Sequence, residues 1–194
     1  MRPVALTVII AAASVVMTAC TSTQTGQALP SSSRPTIPSS ATSSTNSASS
    51  GLTGINACTL LADSEAKQVM AGTARHQDLG QQGGAGTSAC SWTTPATNGS
   101  ASHTFGVTVR PVQRLSDIVV ESGAQLSKIT TTAGREAAVV KNAGGPGSCL
   151  ASIAVGSGRV DIIDVVMGAG ASTDGACAVV SKVSDYVEPR LPKS

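Results

Sequence analysis

The residues of this sequence best able to do chemistry are its five cysteines and two histidines. Cys58, Cys90, Cys149 and Cys177 form an even set, and the N-terminal segment indicates export to a compartment where disulfides persist. A metal site is the alternative, but no two of these cysteines are spaced as Cys-x-x-Cys and no histidine lies near one in a ligand-like pattern. We therefore predict two disulfides and no metal. Three pairings are open; we expect Cys58 with Cys90 and Cys149 with Cys177 because neighbours in sequence usually meet first.

Ester hydrolysis by a serine nucleophile needs a base and an orienting acid, and serines and acids are abundant in this chain. The base would have to be His76 or His103. His76 lies in a polar segment and His103 just before a predicted strand, so we expect both to be solvated surface residues. The hydrolase hypothesis requires one of them within about 3 Å of a serine hydroxyl, with an acid behind it.

Two acids, Asp161 and Asp164, lie three positions apart on a predicted strand. Side chains alternate along a strand, so the two carboxylates are expected on opposite faces and cannot share a substrate. If Asp164 turns inward, we expect Arg110, Arg135 or Lys141 as its partner, since a lone buried charge costs several kcal/mol.

The fifth cysteine, Cys20, follows a segment typical of a secretory signal: Arg2, an apolar run from Val4 to Val16, and small residues. The run is too short to span a bilayer as a helix, which needs about 20 residues. Met17-Thr18-Ala19-Cys20 resembles the bacterial lipobox, in which the cysteine is lipidated and becomes the first residue of the mature chain. We predict a signal peptide at residues 1–19 and a lipid on Cys20.

Lipidation of Cys20 would place the protein at the cell membrane, lipid-anchored and facing the extracytoplasmic side, because each buried methylene contributes about 0.8 kcal/mol. Residues 20–53 are then a tether. They are rich in serine, threonine and proline and cannot bury enough surface to offset the entropy of ordering. As a flexible coil, such a tether has an end-to-end distance of about 30 Å. Residues 54–194 remain as a single domain.

Charge and aromatic content exclude several ligand classes. The net charge is +2, and without Arg2 the mature chain has 12 basic and 11 acidic residues, a balance of +1. Trp92, Phe105 and Tyr186 are the only aromatic residues of these types. Nucleic acid is therefore not expected as a partner, and no cofactor is expected.

Hydrophobic periodicity predicts an α+β domain with an antiparallel sheet and helices packed on one face. Strands are predicted at 105–109, 129–132, 137–140, 149–155 and 159–167, the last one central in its sheet. Helices are predicted from Asp63 as N-cap to Gly72, from Val112 to about Ser127, and from Ser172 or Thr173 to Pro189. Gly156-Ser157-Gly158 is typical of a hairpin connection, and Gly144-Gly145-Pro146-Gly147 of a turn, since it lacks the Lys-Ser/Thr of a phosphate loop.

Five motifs occur in an order that resembles a known family. They are Cys58-Thr59-Leu60-Leu61 before a helix, Cys90-Ser91-Trp92, Gly134-Arg135-Glu136-Ala137, Cys149 at the start of a hairpin, and Cys177 in a terminal helix that ends Pro189-Arg190-Leu191-Pro192. Over about residues 55 to 192 the chain resembles the DUF3558 family of actinobacterial, including mycobacterial, lipoproteins. It departs from the family at Asn56-Ala57, where Asp-Pro is frequent. The resemblance implies an envelope lipoprotein and supplies no catalytic residues.

The function we expect is that of a non-catalytic binding or accessory module, not an enzyme. It would hold membrane lipid through Cys20 and use a groove between sheet and helix to capture an envelope lipid or glycolipid, or to dock on a membrane-protein partner. The alternatives are a structural or surface-antigen envelope protein and a serine-type hydrolase of envelope esters.

Overall fold

The structure is a computed structural model, and it describes residues 51–193. The predictions for the signal peptide, for Cys20 and for the tether up to residue 50 lie outside these residues. Among the described residues, no helix is long and apolar enough to cross a bilayer.

One antiparallel sheet of seven strands forms the framework of the described domain. The strands are β1 (Gln77–Gly80), β2 (Ser88–Thr94), β3 (Ser102–Arg110), β4 (Gln125–Thr130), β5 (Glu136–Lys141), β6 (Ser148–Val155) and β7 (Gly158–Met167). Their order in the sheet is β1-β2-β3-β7-β6-β5-β4. β7 lies in the centre, as its apolar residues on both faces predict. The α+β class is confirmed.

Two helices cover one side of the sheet, which we call the helix face; the other side is the open face. They are α1 (Asp63–Val69) and α2 (Thr173–Val187), accompanied by short 3-10 turns at Ala57–Thr59, Leu115–Asp117 and Glu188–Arg190. α2 packs on β6 and β7 through Val179, Val180, Val183 and Val187, all buried. This apolar stripe recurs at helical spacing, and burying it against the sheet is what stabilises the helix.

The helix face carries the core. Phe105, Val107 and Ile162 are fully buried there, and the rings of Trp92 and Phe105 stack with centroids 5.8 Å apart. Two of the scarce aromatic residues, Trp92 and Phe105, therefore contribute to core packing.

Both disulfides join the sheet to elements on the helix face. Cys58, in the first 3-10 turn, is bonded to Cys90 on β2, and Cys149 on β6 is bonded to Cys177 on α2. The expected pairing is confirmed. The bonded cysteines are 32 residues apart in the first bridge and 28 in the second. Because each bridge restricts the unfolded chain, each stabilises the fold by about 3 to 4 kcal/mol.

The start of α1 differs from the prediction. Its N-cap is Ala62 rather than Asp63, and the Ala62 N–H donates to Glu65 Oε2 at 2.9 Å. Asp63 instead accepts hydrogen bonds from His76 and Trp92, so its carboxylate is not available as a cap.

The helix predicted from Val112 to Ser127 is wrong. Residues 111–124, which we call the strap, join β3 to β4, four places away in the sheet, and contain only a 3-10 turn. Val112 and Val119 are 74% and 84% exposed, so the apolar spacing finds no surface to bury against. The Arg114 carbonyl accepts from the Asp117 N–H at 3.1 Å within the 3-10 turn and from Arg159 Nη1, on β7, at 2.5 Å.

β4 begins earlier than predicted because its pairing with β5 extends back to Gln125, opposite Lys141. Its six side chains are all exposed, as expected for a strand at the edge of a sheet.

Candidate functional site

A groove of about 680 Å³ lies between the strap and the open face. Its size falls within the range typical of small-molecule sites, about 300 to 1,000 Å³. Four segments line it: the strap, β4, the start of β5, and the β6–β7 hairpin. The lining residues are Arg114, Leu115, Ser116, Leu126, Lys128, Ile129, Thr130, Glu136, Ala137, Ala138, Ala154, Gly156 and Gly158. We call this cavity the strap groove.

The strap groove has an apolar surface with charged groups beside it. Leu126, which lines the groove, is 38% exposed, and Leu115 is half-buried on the strap opposite. Ala138 and Ala154 contribute small side chains that leave the space open. The groove therefore has a mixed lining, partly apolar and partly charged, with room for a ligand.

A buried polar cluster holds the strap in place above the open face. Asp161 is 7% exposed; it accepts from Arg159 Nε at 2.8 Å, from Arg110 Nε at 2.5 Å and from Ser152 Oγ at 2.6 Å. Arg159 then reaches the carbonyl of Arg114, and thereby fixes the backbone of the groove wall. Charge-assisted hydrogen bonds of this kind are roughly twice as strong as neutral ones.

The β6–β7 hairpin closes the groove at one end, and Gly158 permits the close approach. A Cβ at this position would lie 2.6 Å from the carbonyl oxygen of Arg110 and 2.7 Å from that of Pro111. A side chain here would therefore push the hairpin away from the start of the strap.

A second, smaller cavity of about 220 Å³ lies on the helix face, between α2 and the β4–β5 hairpin. Both cysteines of the Cys149–Cys177 bridge line it, together with Val139, Val180 and Glu188. This is where a groove between sheet and helix was expected. The larger space is instead on the opposite face, because the strap forms a wall there that the sequence did not predict.

His103 is not the solvated residue that its position before a strand suggested. Its side chain is 16% exposed, and Nδ1 lies 2.8 Å from Oδ2 of the fully buried Asp164. Burial raises the pKa of the Asp164 carboxyl above its usual range, although the hydrogen bond to His103 opposes this shift. Asp164 Oδ1 has no hydrogen-bond partner among the described residues.

The two aspartates of β7 lie on opposite faces, as predicted, but their partners differ from expectation. Asp164 faces the helices and meets His103, not Arg110, Arg135 or Lys141. Arg110 pairs with Asp161 on the open face because both side chains alternate to that side of neighbouring strands.

His76 is likewise engaged with an acid. Its Nδ1 lies 2.9 Å from Asp63 Oδ1, which also accepts from Trp92 Nε1 at 3.1 Å. These hydrogen bonds, led by that of the His76 side chain, lower the pKa of Asp63 below its usual range. Within residues 51–193, neither histidine forms a hydrogen bond with a serine hydroxyl.

The other motifs have structural roles. Gly144 to Gly147 form a turn in which Ser148 Oγ accepts from the Gly144 N–H at 2.8 Å. Arg135 donates to the carbonyl oxygens of Leu191 and Pro192, at 3.3 and 2.7 Å. In the part of the chain that the structure describes, no cluster of three or more histidine, cysteine or acidic side chains could hold a metal ion. Cys20 lies outside that part.

Sequence reasoning missed every residue of the strap groove as a site residue. Arg114 and Leu126 were assigned to one predicted helix, and Lys128 and Ala154 lie in strands with no motif around them. The groove depends on the β3-to-β4 crossing, for which no local signal exists.

A family model described as "Protein of unknown function (DUF3558)" matches residues 15–190. No curated protein and no solved structure matches the chain. The match covers nearly the whole chain, including every strand and helix described above. The chain therefore belongs to the DUF3558 family, a family defined by its sequence and not yet by an activity.

Proposed function

We propose that this protein is an envelope lipoprotein of the actinobacterial, mycobacterial type, and that its domain is a non-catalytic binding or accessory module. The lipobox-like sequence Met17-Thr18-Ala19-Cys20 supports a diacylglyceryl group and a further acyl chain such as palmitate on Cys20. The domain would then sit on the extracytoplasmic side of the cell membrane, held by its tether.

The strap groove is the observation that carries the binding role. It is a cavity of about 680 Å³ whose wall is fixed by the Asp161 cluster. A wall that is already ordered before a ligand arrives reduces the entropy lost on binding. Such a groove is what a binding module requires.

An envelope lipid or glycolipid fits this groove better than a membrane-protein partner does. Leu115 and Leu126 offer apolar side chains within a recess, which suits an acyl chain. A protein partner is more often met by a broad exposed apolar patch.

The hydrolase alternative has two of its three parts. His103 with Asp164 and His76 with Asp63 are acid–histidine pairs, but neither has a serine hydroxyl in hydrogen-bond contact among the described residues. Neither histidine lines the strap groove. A binding role therefore ranks first.

Filling the groove tests this proposal. The mature chain from residue 20, with Cys20→Ala so that its own lipid does not compete, is titrated with a neutral apolar dye whose fluorescence rises in an apolar site. We expect saturable binding at one site, and we expect Ala154→Trp to abolish it because the indole occupies the groove.

Thr104→Trp is the matched control. Thr104 is exposed on the open face, on β3 and outside the groove lining, so this indole leaves the cavity empty. Dye binding that persists in Ala154→Trp, or that is equally lost in Thr104→Trp, would contradict the groove as the site.

A further inference from the structure

Resting on the proposed function, we infer that the strap groove selects membrane lipids with an anionic head group, and that Arg114 and Lys128 bind that head group. The strap groove would then have a preferred ligand charge and two residues that recognise it.

Two cations line the groove without a partner. Neither the Arg114 guanidinium nor the Lys128 ammonium forms a salt bridge or a side-chain hydrogen bond with any residue in the described part of the chain. By contrast, Arg110 and Arg159 on the same face are both paired with Asp161. The free charges of this face are thus concentrated at the groove.

The nearby acids do not cancel these charges. Asp117, next to Arg114, accepts from the Arg114 N–H at 2.7 Å and from Ser116 Oγ at 3.2 Å; its charge also attracts the Arg114 guanidinium, but both groups are exposed, so solvent screens this attraction. Glu136 also lines the groove, opposite Thr130 in the strand pairing, whereas Lys128 is opposite Ala138. The three charged lining residues leave an excess of one positive charge, and the anion is expected between Arg114 and Lys128.

The apolar lining provides for the acyl part. Leu115 lies on the strap beside Arg114, and Leu126 lies two residues before Lys128, so its side chain is on the same face of β4. Each cation therefore has a leucine next to it. This arrangement fits an amphipathic molecule with an anionic end and an apolar chain.

The point at which the chain enters the domain favours the membrane as the source of the ligand. A Cβ at Gly51, the first described residue, would lie 3.2 Å from Cβ of Pro192, and the Pro192 carbonyl accepts from Arg135 at 2.7 Å. Arg135 directly precedes Glu136 in the groove lining. A chain tethered through Cys20 would thus reach the domain at the end of the sheet where β5 begins, and its tether would span about 30 Å.

Paired lipids that differ only in the head group test the inference. Calorimetric titrations use the mature chain from residue 20 with Cys20→Ala, below the critical micelle concentration, with palmitoyl lysophosphatidylglycerol, palmitoyl lysophosphatidylcholine and free palmitate. We expect the anionic lysophospholipid to bind about tenfold more tightly than the zwitterionic one. This preference should shrink as salt is raised, because the head group is partly exposed.

Charge-neutral variants identify the recognition residues. Arg114→Gln and Lys128→Gln should each weaken binding of the anionic lipid about three- to tenfold and leave the zwitterionic lipid unchanged. Lys182→Gln is the matched control, since Lys182 is exposed on α2 and outside the groove lining; it should change neither affinity.

The outcomes separate this inference from the proposed function. Equal binding of both lysophospholipids, or an unchanged preference in both groove variants, would overturn the inference while leaving the groove as a binding site. Palmitate binding as tightly as the anionic lysophospholipid would overturn the assignment to a membrane lipid. If the protein with an unmodified groove binds none of the three lipids, both proposals are overturned.

Discussion

Asp164 is a buried acid whose environment disfavours its charged form. It is fully buried, one of its oxygens has no partner among the described residues, and the other depends on His103. A carboxyl whose pKa is raised on folding binds its proton more tightly in the folded state. Stability from this group is therefore highest below the unfolded pKa of about 3.9 and falls as pH rises through the folded pKa.

Removing His103 exposes this cost. We expect His103→Ala to lower the free energy of unfolding by about 3 to 5 kcal/mol at pH 8, because it leaves a buried carboxylate alone. At about pH 3, below even the ordinary aspartate pKa of about 3.9, Asp164 is protonated and the loss should be smaller. Urea denaturation at both pH values measures it. His76→Ala is the control, since its acid partner keeps Trp92; an equal loss for His103→Ala at both pH values would refute this account.

The pKa of Asp63 shifts in the opposite direction from that of Asp164. Its pKa is lowered by hydrogen bonds from His76 and Trp92, so its contribution is present above the unfolded pKa of about 3.9 and is lost as pH falls through the folded pKa. We expect Asp63→Asn to destabilise by about 1 kcal/mol near pH 6. The difference from the unmodified chain should vanish near pH 2, as measured by thermal unfolding. If Asp63→Asn is still less stable than the unmodified chain at low pH, the substitution has disturbed the packing around residue 63, and the loss of the Asp63 charge is not the cause.

At the scale of elements, the strap and the β6–β7 hairpin must pack closely for the groove to exist. Gly158→Ala places a methyl group 2.6 Å from the Arg110 carbonyl oxygen. We expect it to destabilise by about 1 to 3 kcal/mol and to weaken dye binding in the groove. Gly144→Ala is the control, because its nearest atom lies 3.8 Å away at ordinary φ, and it should stay within about 0.5 kcal/mol in urea denaturation. Similar stabilities for the two variants would contradict the close packing described here.

An element could be predicted from the sequence when its own residues carry the pattern that defines it. β5, β6, β7 and α2 each bury a regular apolar face, and local periodicity is sufficient to find them. The strap shows the limit. Val112, Leu115, Ile118 and Val119 recur at helical spacing, yet the conformation is set by Arg159 and by the β4–β5 pairing, both distant in sequence.

The same limit applies to the candidate site. Alternation along β7 was enough to predict that Asp161 and Asp164 lie on opposite faces, but the partner of Asp164 is decided by the pairing of β3 with β7. Local sequence patterns could not predict the groove, because its lining comes from four separate segments, represented by Arg114, Leu126, Ala138 and Ala154. Only the crossing of the strap brings them together.

At the scale of the whole molecule, the anchor and the domain act together in our proposal. We expect Cys20→Ala to move the full-length protein from the membrane fraction to the soluble or secreted fraction, or to leave it as the unprocessed precursor. Its mass should lack the acyl groups expected on the unmodified chain. Cell fractionation with intact mass spectrometry checks this; a variant that stays processed and membrane-bound would contradict anchoring through Cys20.

The most direct test of the central claim is the lipid content of the full-length protein extracted from its own membrane in mild detergent. Native mass spectrometry separates a covalent lipid on Cys20 from a lipid held in the strap groove. We predict one non-covalent lipid per chain in the unmodified protein and in Thr104→Trp, and none in Ala154→Trp. A chain without bound lipid, or with equal lipid in all three proteins, would contradict the account.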